Sequence, residues 1–318
     1  MSSAPGPAPQ VHGTRSGPEA ARMQGHWLLA RLGKRVLRPG GMGLTRRLLT
    51  ATALEPGERV VELGPGVGRT AELLLASRPS AYRAVDPNPE GRDQMAAVLD
   101  KYAGRVGHAE HVEYVVADAA ATGLPDADAD LVVGEAMLTI QSDEHKREIV
   151  AEAVRVLAPG GRYAIHELAL RGDRSPEELD SIRRSISRTI KVGARPLPLQ
   201  GWKDLLTEAG LVVEWTGTAP MHLLEPRRVI EDEGLLGAVR FWRAMQRTPG
   251  ARDRVNAMRQ SFRLQGEALS AIGMVARKPE SPAPEEATEQ AANATEGAED
   301  TIDTEDARDV SDHVAPAS

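Results

Sequence analysis

Residues 60–70 read VVELGPGVGRT: an apolar run containing Glu62, then Gly64, Gly66 and Gly68 at alternate positions, then Arg69 and Thr70. Glycine is unfavourable in strands and helices alike, so three together mark a corner where the backbone takes positive φ or admits another molecule against it. A helix opening at Arg69 and Thr70 would turn free N–H groups and a positive dipole end toward an anionic group. Asp86, in AVDPNP, stands at the end of the next apolar run and is placed to accept hydrogen bonds from ribose hydroxyls. Asp118, in VVADAA, follows the third run, where it could accept from an adenine amino group while the Ala119 N–H reaches a ring nitrogen. Three residues at the ends of later runs could move a proton: Glu135, His166 and Glu167. Strand alternation sends His166 and Glu167 to opposite faces, so one of the two points at a substrate. His222 and Glu225 are weaker candidates, and His26 with Trp27 would belong to an N-terminal lid.

These residues need a scaffold, and the rhythm of the chain supplies one. RVVEL, YRAV, VEYVV, DLVVG and RYAIHEL are short β-branched or aromatic runs, separated by helix-length stretches such as TAELLLASR and DEHKREIVAEAVRVL. Alternation at this spacing predicts right-handed βαβ units: an α/β, doubly wound, mostly parallel sheet with helices on both faces. Two amphipathic helices precede it, over about 21–54. Past Glu167 come a polar helix SPEELDSIRRSISRTI, a loop, a helix KDLLTEAG, a strand LVVEWTGT, a helical insertion at about 223–271 and a last strand IGMVAR. Val255, Met258, Phe262 and Leu269 share one stripe of that insertion and read as core.

Composition narrows the chemistry. The 318 residues contain no cysteine, which removes disulfides, thiolate nucleophiles and Cys-ligated metal sites. The histidines show no metal-ligand spacing, so no metal is expected. The net charge of −7 is unevenly spread: residues 281–318 carry eleven Asp or Glu against one Arg, leaving +3 for residues 1–280. Residues 281–318 thus read as a disordered acidic tail, and 1–20, rich in Pro, Gly and Ser, as a second disordered tail. Lacking an apolar leader or a span of roughly 20 apolar residues, the chain reads as cytoplasmic with no membrane partner. Ten aromatic residues and a weakly charged folded part offer little to nucleic acid.

The glycine spacing is E-x-G-x-G-x-G and not the G-x-G-x-x-G of nicotinamide dehydrogenases. With AVDPNP, VVADA, DLVVGEAM and LAPGGRYAIHE following in order, the stretch from about 55 to 170 resembles the class I S-adenosylmethionine-dependent methyltransferases. That resemblance implies a seven-stranded sheet whose last strand is antiparallel, with LVVEWTGT and IGMVAR as strands six and seven, and a methyltransferase domain over 55–280. It implies S-adenosylmethionine as the cofactor. Glu62, Gly64, Gly66 and Gly68 would surround its methionine and ribose, Asp86 would hold the ribose, Asp118 and Ala119 the adenine, and Glu135 would line the transfer site. Without Cys, and with GEAML where base-amino methyltransferases carry an Asn-Pro-Pro or Asp-Pro-Pro run, the expected acceptor is a small molecule. Residues 197–202 and the helices after Leu223 would enclose it. The alternative is a catalytically silent S-adenosylmethionine-binding regulatory protein; oligomeric state is not legible here.

Overall fold

Runs rich in β-branched and small residues build a parallel sheet whose central strands are buried on both faces, while the edge run 111–116 buries only Tyr114. The computed structural model describes residues 23–34, 38–103, 111–172, 174–221 and 224–280. The two expected tails and His222 lie outside the described residues. Helices α1 (Gly25–Arg31) and α2 (Gly41–Ala51) come first. Then follow β1 (Arg59–Leu63), α3 (Arg69–Ala76), β2 (Ala81–Asp86), α4 (Gly91–Tyr102), β3 (His111–Val116), β4 (Ala129–Glu135), α5 (Asp143–Val156) and β5 (Leu157–Leu170). The last part comprises α6 (Pro176–Ile190), β6 (Leu197–Pro198), α7 (Leu199–Glu208), β7 (Val212–Pro220), α8 (Pro226–Arg247), α9 (Ala251–Leu264) and β8 (Leu269–Arg277).

The strands run in the order β3-β2-β1-β4-β5-β8-β7, with β8 antiparallel to both neighbours and the β3-to-β5 pairs parallel. This is the doubly wound sheet expected from the sequence, with the last strand reversed. A two-residue strand, β6, is additional. β5 continues beyond its last pairing with β4, at Glu135 opposite His166, and β6 occupies the exposed edge by pairing with Ala169 and Leu170.

Alternation sorts the side chains into two layers. Val61, Leu63, Val132, Tyr163 and Ile165 pack against α5 and α7, through Ile149, Val150, Ala153, Trp202 and Leu206. Val60, Tyr82, Ala84, Leu131, Val133 and Ala164 pack on the other face against α2, α3 and α4. A third cluster, built from α1, α6, α8 and α9 with Leu168, Leu170 and Leu269, covers the carboxyl edge beside β5 and β8. No helix among the described residues is long and apolar enough to cross a membrane.

The glycine corner serves two ends. Gly64, Gly66 and Gly68 all have positive φ, at 65°, 57° and 75°. A Cβ on Gly66 would meet nothing within 4 Å, whereas one on Gly68, the N-cap of α3, would lie 2.7 Å from Met95 Sδ and 3.2 Å from Val98 Cγ2 of α4. Gly66 is therefore open to a ligand, and Gly68 is fixed by helix packing. Gly66→Ala should lose only the backbone penalty, roughly 1–2 kcal/mol. Gly68→Ala should lose ~1–3 kcal/mol more through overpacking. Urea unfolding of the two variants side by side measures the difference, and equal losses would contradict it.

Candidate functional site

At the carboxyl edge of the sheet lies a cavity of about 510 Å³. Its wall brings together Gly64, Gly66, Asp86, Asp118, Ala119 and Glu135 from the ends of β1 to β4. The wall does not include Glu62, Gly68, His166 or Glu167. Asp86 accepts the Asn88 N–H at 2.9 Å through one oxygen, and its partial burial raises its pKa. Asp118 accepts the Ala120 N–H at 2.8 Å and keeps about half of its side chain exposed. The adjoining Ala119 is buried.

Glu135 is the best-connected carboxylate on this wall. Thr45 donates to Oε1 at 2.7 Å, the His166 imidazole pairs with the same oxygen at 2.8 Å, and Thr70 and Arg38 Nη1 (3.1 Å) hold Oε2. Burial alone would raise its pKa, but the Arg38 charge, His166 and Thr70 bring it down to about 2. The cluster follows from register. Glu135 and His166 are paired residues on adjacent parallel strands, so their side chains share the face covered by α2 and α3. Thr45 and Thr70 reach them from those helices.

The structure places His166 and Glu167 off the cavity wall and engages each with other groups. His166 is fully buried; its Nε2 donates to the Pro39 carbonyl at 2.5 Å while Nδ1 meets Glu135, so both nitrogens are taken. A carbonyl only accepts, hence Nε2 carries a hydrogen. On the opposite face Glu167, also fully buried, accepts the backbone N–H groups of Met137, Leu138 and Thr139 at 2.8–3.0 Å and the Thr139 hydroxyl at 2.6 Å. Burial pushes its pKa up against the pull of those four donors. Glu167 thereby fixes the β4–α5 loop, which lends Ala136, Met137, Thr139, Ile140 and Gln141 to the cavity. Glu62 is likewise internal: it accepts from the Tyr82 hydroxyl at 2.5 Å, and burial with the nearby Glu135 charge lifts its pKa to about 8.

Two cavity residues escaped the sequence reading. His145, placed by the Ser142 N-cap of α5, stands between Asp118 (3.3 Å) and Glu148 (2.7 Å). Gln141 is the one polar side chain on the described wall for which no hydrogen-bond partner exists among the described residues. Only the i, i+3 spacing from the Ser142 cap hinted at the first, and nothing local marked the second. Glu225 caps α8 and pairs with Arg259 and Arg263, each at 2.9 Å, away from this wall. His26 and Trp27 fall within α1. Residues 197–202 do not enclose the cavity, because Trp202 turns into the α5 core and donates to the Leu168 carbonyl at 3.1 Å. The far wall comes from α1, α6 and α9, where Met258 and Phe262 serve both core and cavity.

A family model described as a methyltransferase domain matches residues 61–165, the span from the glycine corner into β5. An uncharacterized protein of Haemophilus influenzae is 32% identical over 219 residues, 69% of this chain and 84% of that protein. The chain belongs to the class I S-adenosylmethionine-dependent methyltransferases. Methyltransferase GfsG of Streptomyces halstedii is 28% identical over 181 residues, 55% of this chain and 60% of that relative. Among solved structures, phosphoethanolamine N-methyltransferase 2 of Haemonchus contortus, in complex with S-adenosyl-L-methionine, superposes with a TM-score of 0.57 at 16% identity. The match covers 80% of this chain and 56% of that one. In this methyltransferase the sheet edge, the corner and the aspartates thus occupy one cavity.

Glu135 and Glu62 give the fold a pH signature of opposite signs, and the raised pKa of Glu167 adds in the direction of Glu62. Glu135 has a folded pKa below its ordinary 4.5, so its stabilisation is complete above that value and is lost as pH falls toward about 2. Glu62 has a folded pKa above 4.5, so the folded state holds an extra proton between 4.5 and about 8, and stability declines across that window. At 1.36 kcal/mol per unit the Glu62 decline is on the order of 4 kcal/mol. Urea unfolding of the native chain should show stability falling from pH 5 to 8, and Glu62→Gln, which still accepts from Tyr82, should reduce that slope. A slope unchanged in the variant would exclude Glu62 as its source.

Proposed function

We propose that this chain transfers a methyl group from S-adenosylmethionine to a small-molecule acceptor by direct in-line displacement. The observation that carries the reading is the composition of one cavity: open glycine backbone and two aspartates at one end, continuous with a separate apolar chamber. The site fits the donor. Gly66 leaves its surroundings clear where any Cβ would project, and the nearest neighbour of a Cβ on Gly64 would be Met137 at 3.4 Å. Asp86 would hold the ribose hydroxyls, Asp118 and the Ala119 N–H the adenine, and Gly64 and Gly66 the methionine and ribose backbone-on. When bound, the sulfonium supplies a methyl already activated for displacement.

What the protein must add is alignment and exclusion of water, which supply several kcal/mol without a covalent intermediate. The loop fixed by Glu167 and the α1 helix would perform both tasks. Glu135 would act from the wall by fixing α2, α3 and β5, and His166 and Glu167 would position backbone and would not accept the substrate proton.

Titration calorimetry with S-adenosylmethionine and with S-adenosylhomocysteine tests donor binding. Asp86→Ala should weaken both at least tenfold, and Gly66→Leu should abolish binding; affinity surviving both changes would place the donor elsewhere. Incubation with cell extract and labelled donor should yield methylated product with S-adenosylhomocysteine. Tight binding with no turnover would favour the catalytically silent alternative.

A further inference from the structure

The cavity changes character along the sheet edge. Beside β1 to β4 its wall is carboxylates and glycine backbone; beside β5 and β7 it is made by Leu29, Ile186, Ile190, Met221, Met258 and Phe262. These side chains come from α1, α6, α9 and the end of β7, and all but the partly buried Ile190 are themselves buried in the third core cluster. These six side chains are all apolar, so a charged group entering among them would lose water and gain no partner from them. Helix α1 contributes Gly25 and Leu29 to the cover of this part. A Cβ on Gly25, the first residue of α1, would lie 3.0 Å from Met258 Sδ and 3.3 Å from Ile190 Cα, so α1 rests directly on α6 and α9.

We infer that the methyl acceptor is a molecule with an uncharged apolar body, held in this chamber by burial, and that Ile190, Met258 and Phe262 set its size. The inference rests on the donor reading above, since the acceptor half is defined as the part of the cavity the donor leaves free. Met221 and Met258 add adaptability, because an unbranched thioether side chain can follow ligands of differing outline. Burial then sets affinity: each methylene placed in the chamber is worth about threefold to fourfold in binding until the chamber is full.

The test uses the full chain with saturating S-adenosylhomocysteine and the neutral dye N-phenyl-1-naphthylamine, which fluoresces in apolar surroundings. Saturable fluorescence is expected, displaced by 4-alkylphenols with Kd falling about threefold per methylene and then levelling off. Ile190→Thr and Met258→Gln should weaken dye and phenols at least tenfold, with calorimetric S-adenosylhomocysteine affinity unchanged. Phe262→Ala should move the levelling point to longer chains. Leu235→Ser with Leu236→Ser, on an exposed face of α8, should change nothing. Dye binding that is absent, insensitive to chain length, or lost with the α8 changes and not with Ile190→Thr would overturn the inference. Failure of S-adenosylhomocysteine to bind would instead overturn the donor reading, and the acceptor role of the chamber with it.

Discussion

A buried carboxylate is stable only where its partners replace the water it has lost, and Glu135 shows how much of a fold such a demand can organise. Its two oxygens take up donors from the residues before α2, from α2 itself, from α3 and from β5. Arg38 bonds Thr45 as well as Glu135, at 2.6 Å, and His166 fixes the Pro39 carbonyl, so the segment entering α2 is held against the sheet through the same cluster. A second buried pair continues this attachment. Lys34 meets Asp232 of α8 at 3.3 Å, and Asp232 accepts the Met42 N–H at 3.1 Å near the start of α2. Desolvation lowers the Lys34 pKa, and the two acids beside it pull it back. The N-terminal cover is thus joined to the sheet by paired charges, whose geometry is directional in a way that apolar packing is not.

Glu167 plays the corresponding part on the opposite face with neutral donors. Three successive backbone N–H groups converge on it, an arrangement available only if the β4–α5 loop turns sharply, and Ala136 accordingly adopts φ of 57°. One strand therefore supplies two adjacent residues that fix the loop and the cover from opposite sides of the sheet. The cavity lies between these anchored segments, which is why its residues keep their places without forming many bonds of their own.

The fold was legible in the sequence because it is written in periodicity: five short apolar runs alternating with helix-length segments leave few topologies. The cavity residues at the strand ends were legible for a related reason, since Gly66, Asp86 and Asp118 stand at or just after those ends and need no knowledge of tertiary packing. His166 and Glu167 mark the limit. Alternation placed them on opposite faces, as they are, but their partners are 28–127 residues away in the chain, and no local pattern reveals that a histidine will meet Pro39 or a glutamate three backbone amides. Gly68 is the same lesson in the glycine corner, because its constraint comes from Met95 on another helix. The apolar chamber depends on three separate helices meeting, and the stripe of Val255, Met258 and Phe262 looks alike whether it faces core or cavity. β6 escaped notice because two residues carry no period.

The placement of charge in the wall has its own logic on the proposed chemistry. A sulfonium concentrates positive charge that spreads over donor and acceptor as the methyl moves, so a bare carboxylate beside it would stabilise the ground state more than the transition state and slow transfer. Glu135 is not bare: Arg38 and two hydroxyls occupy its oxygens, and the histidine beside it donates to Pro39 and meets the same carboxylate. Its field in the cavity is then largely cancelled at short range by the guanidinium. The carboxylate can hold four elements together while leaving little net charge facing the chamber, which suits a reaction that disperses charge and an acceptor that carries none.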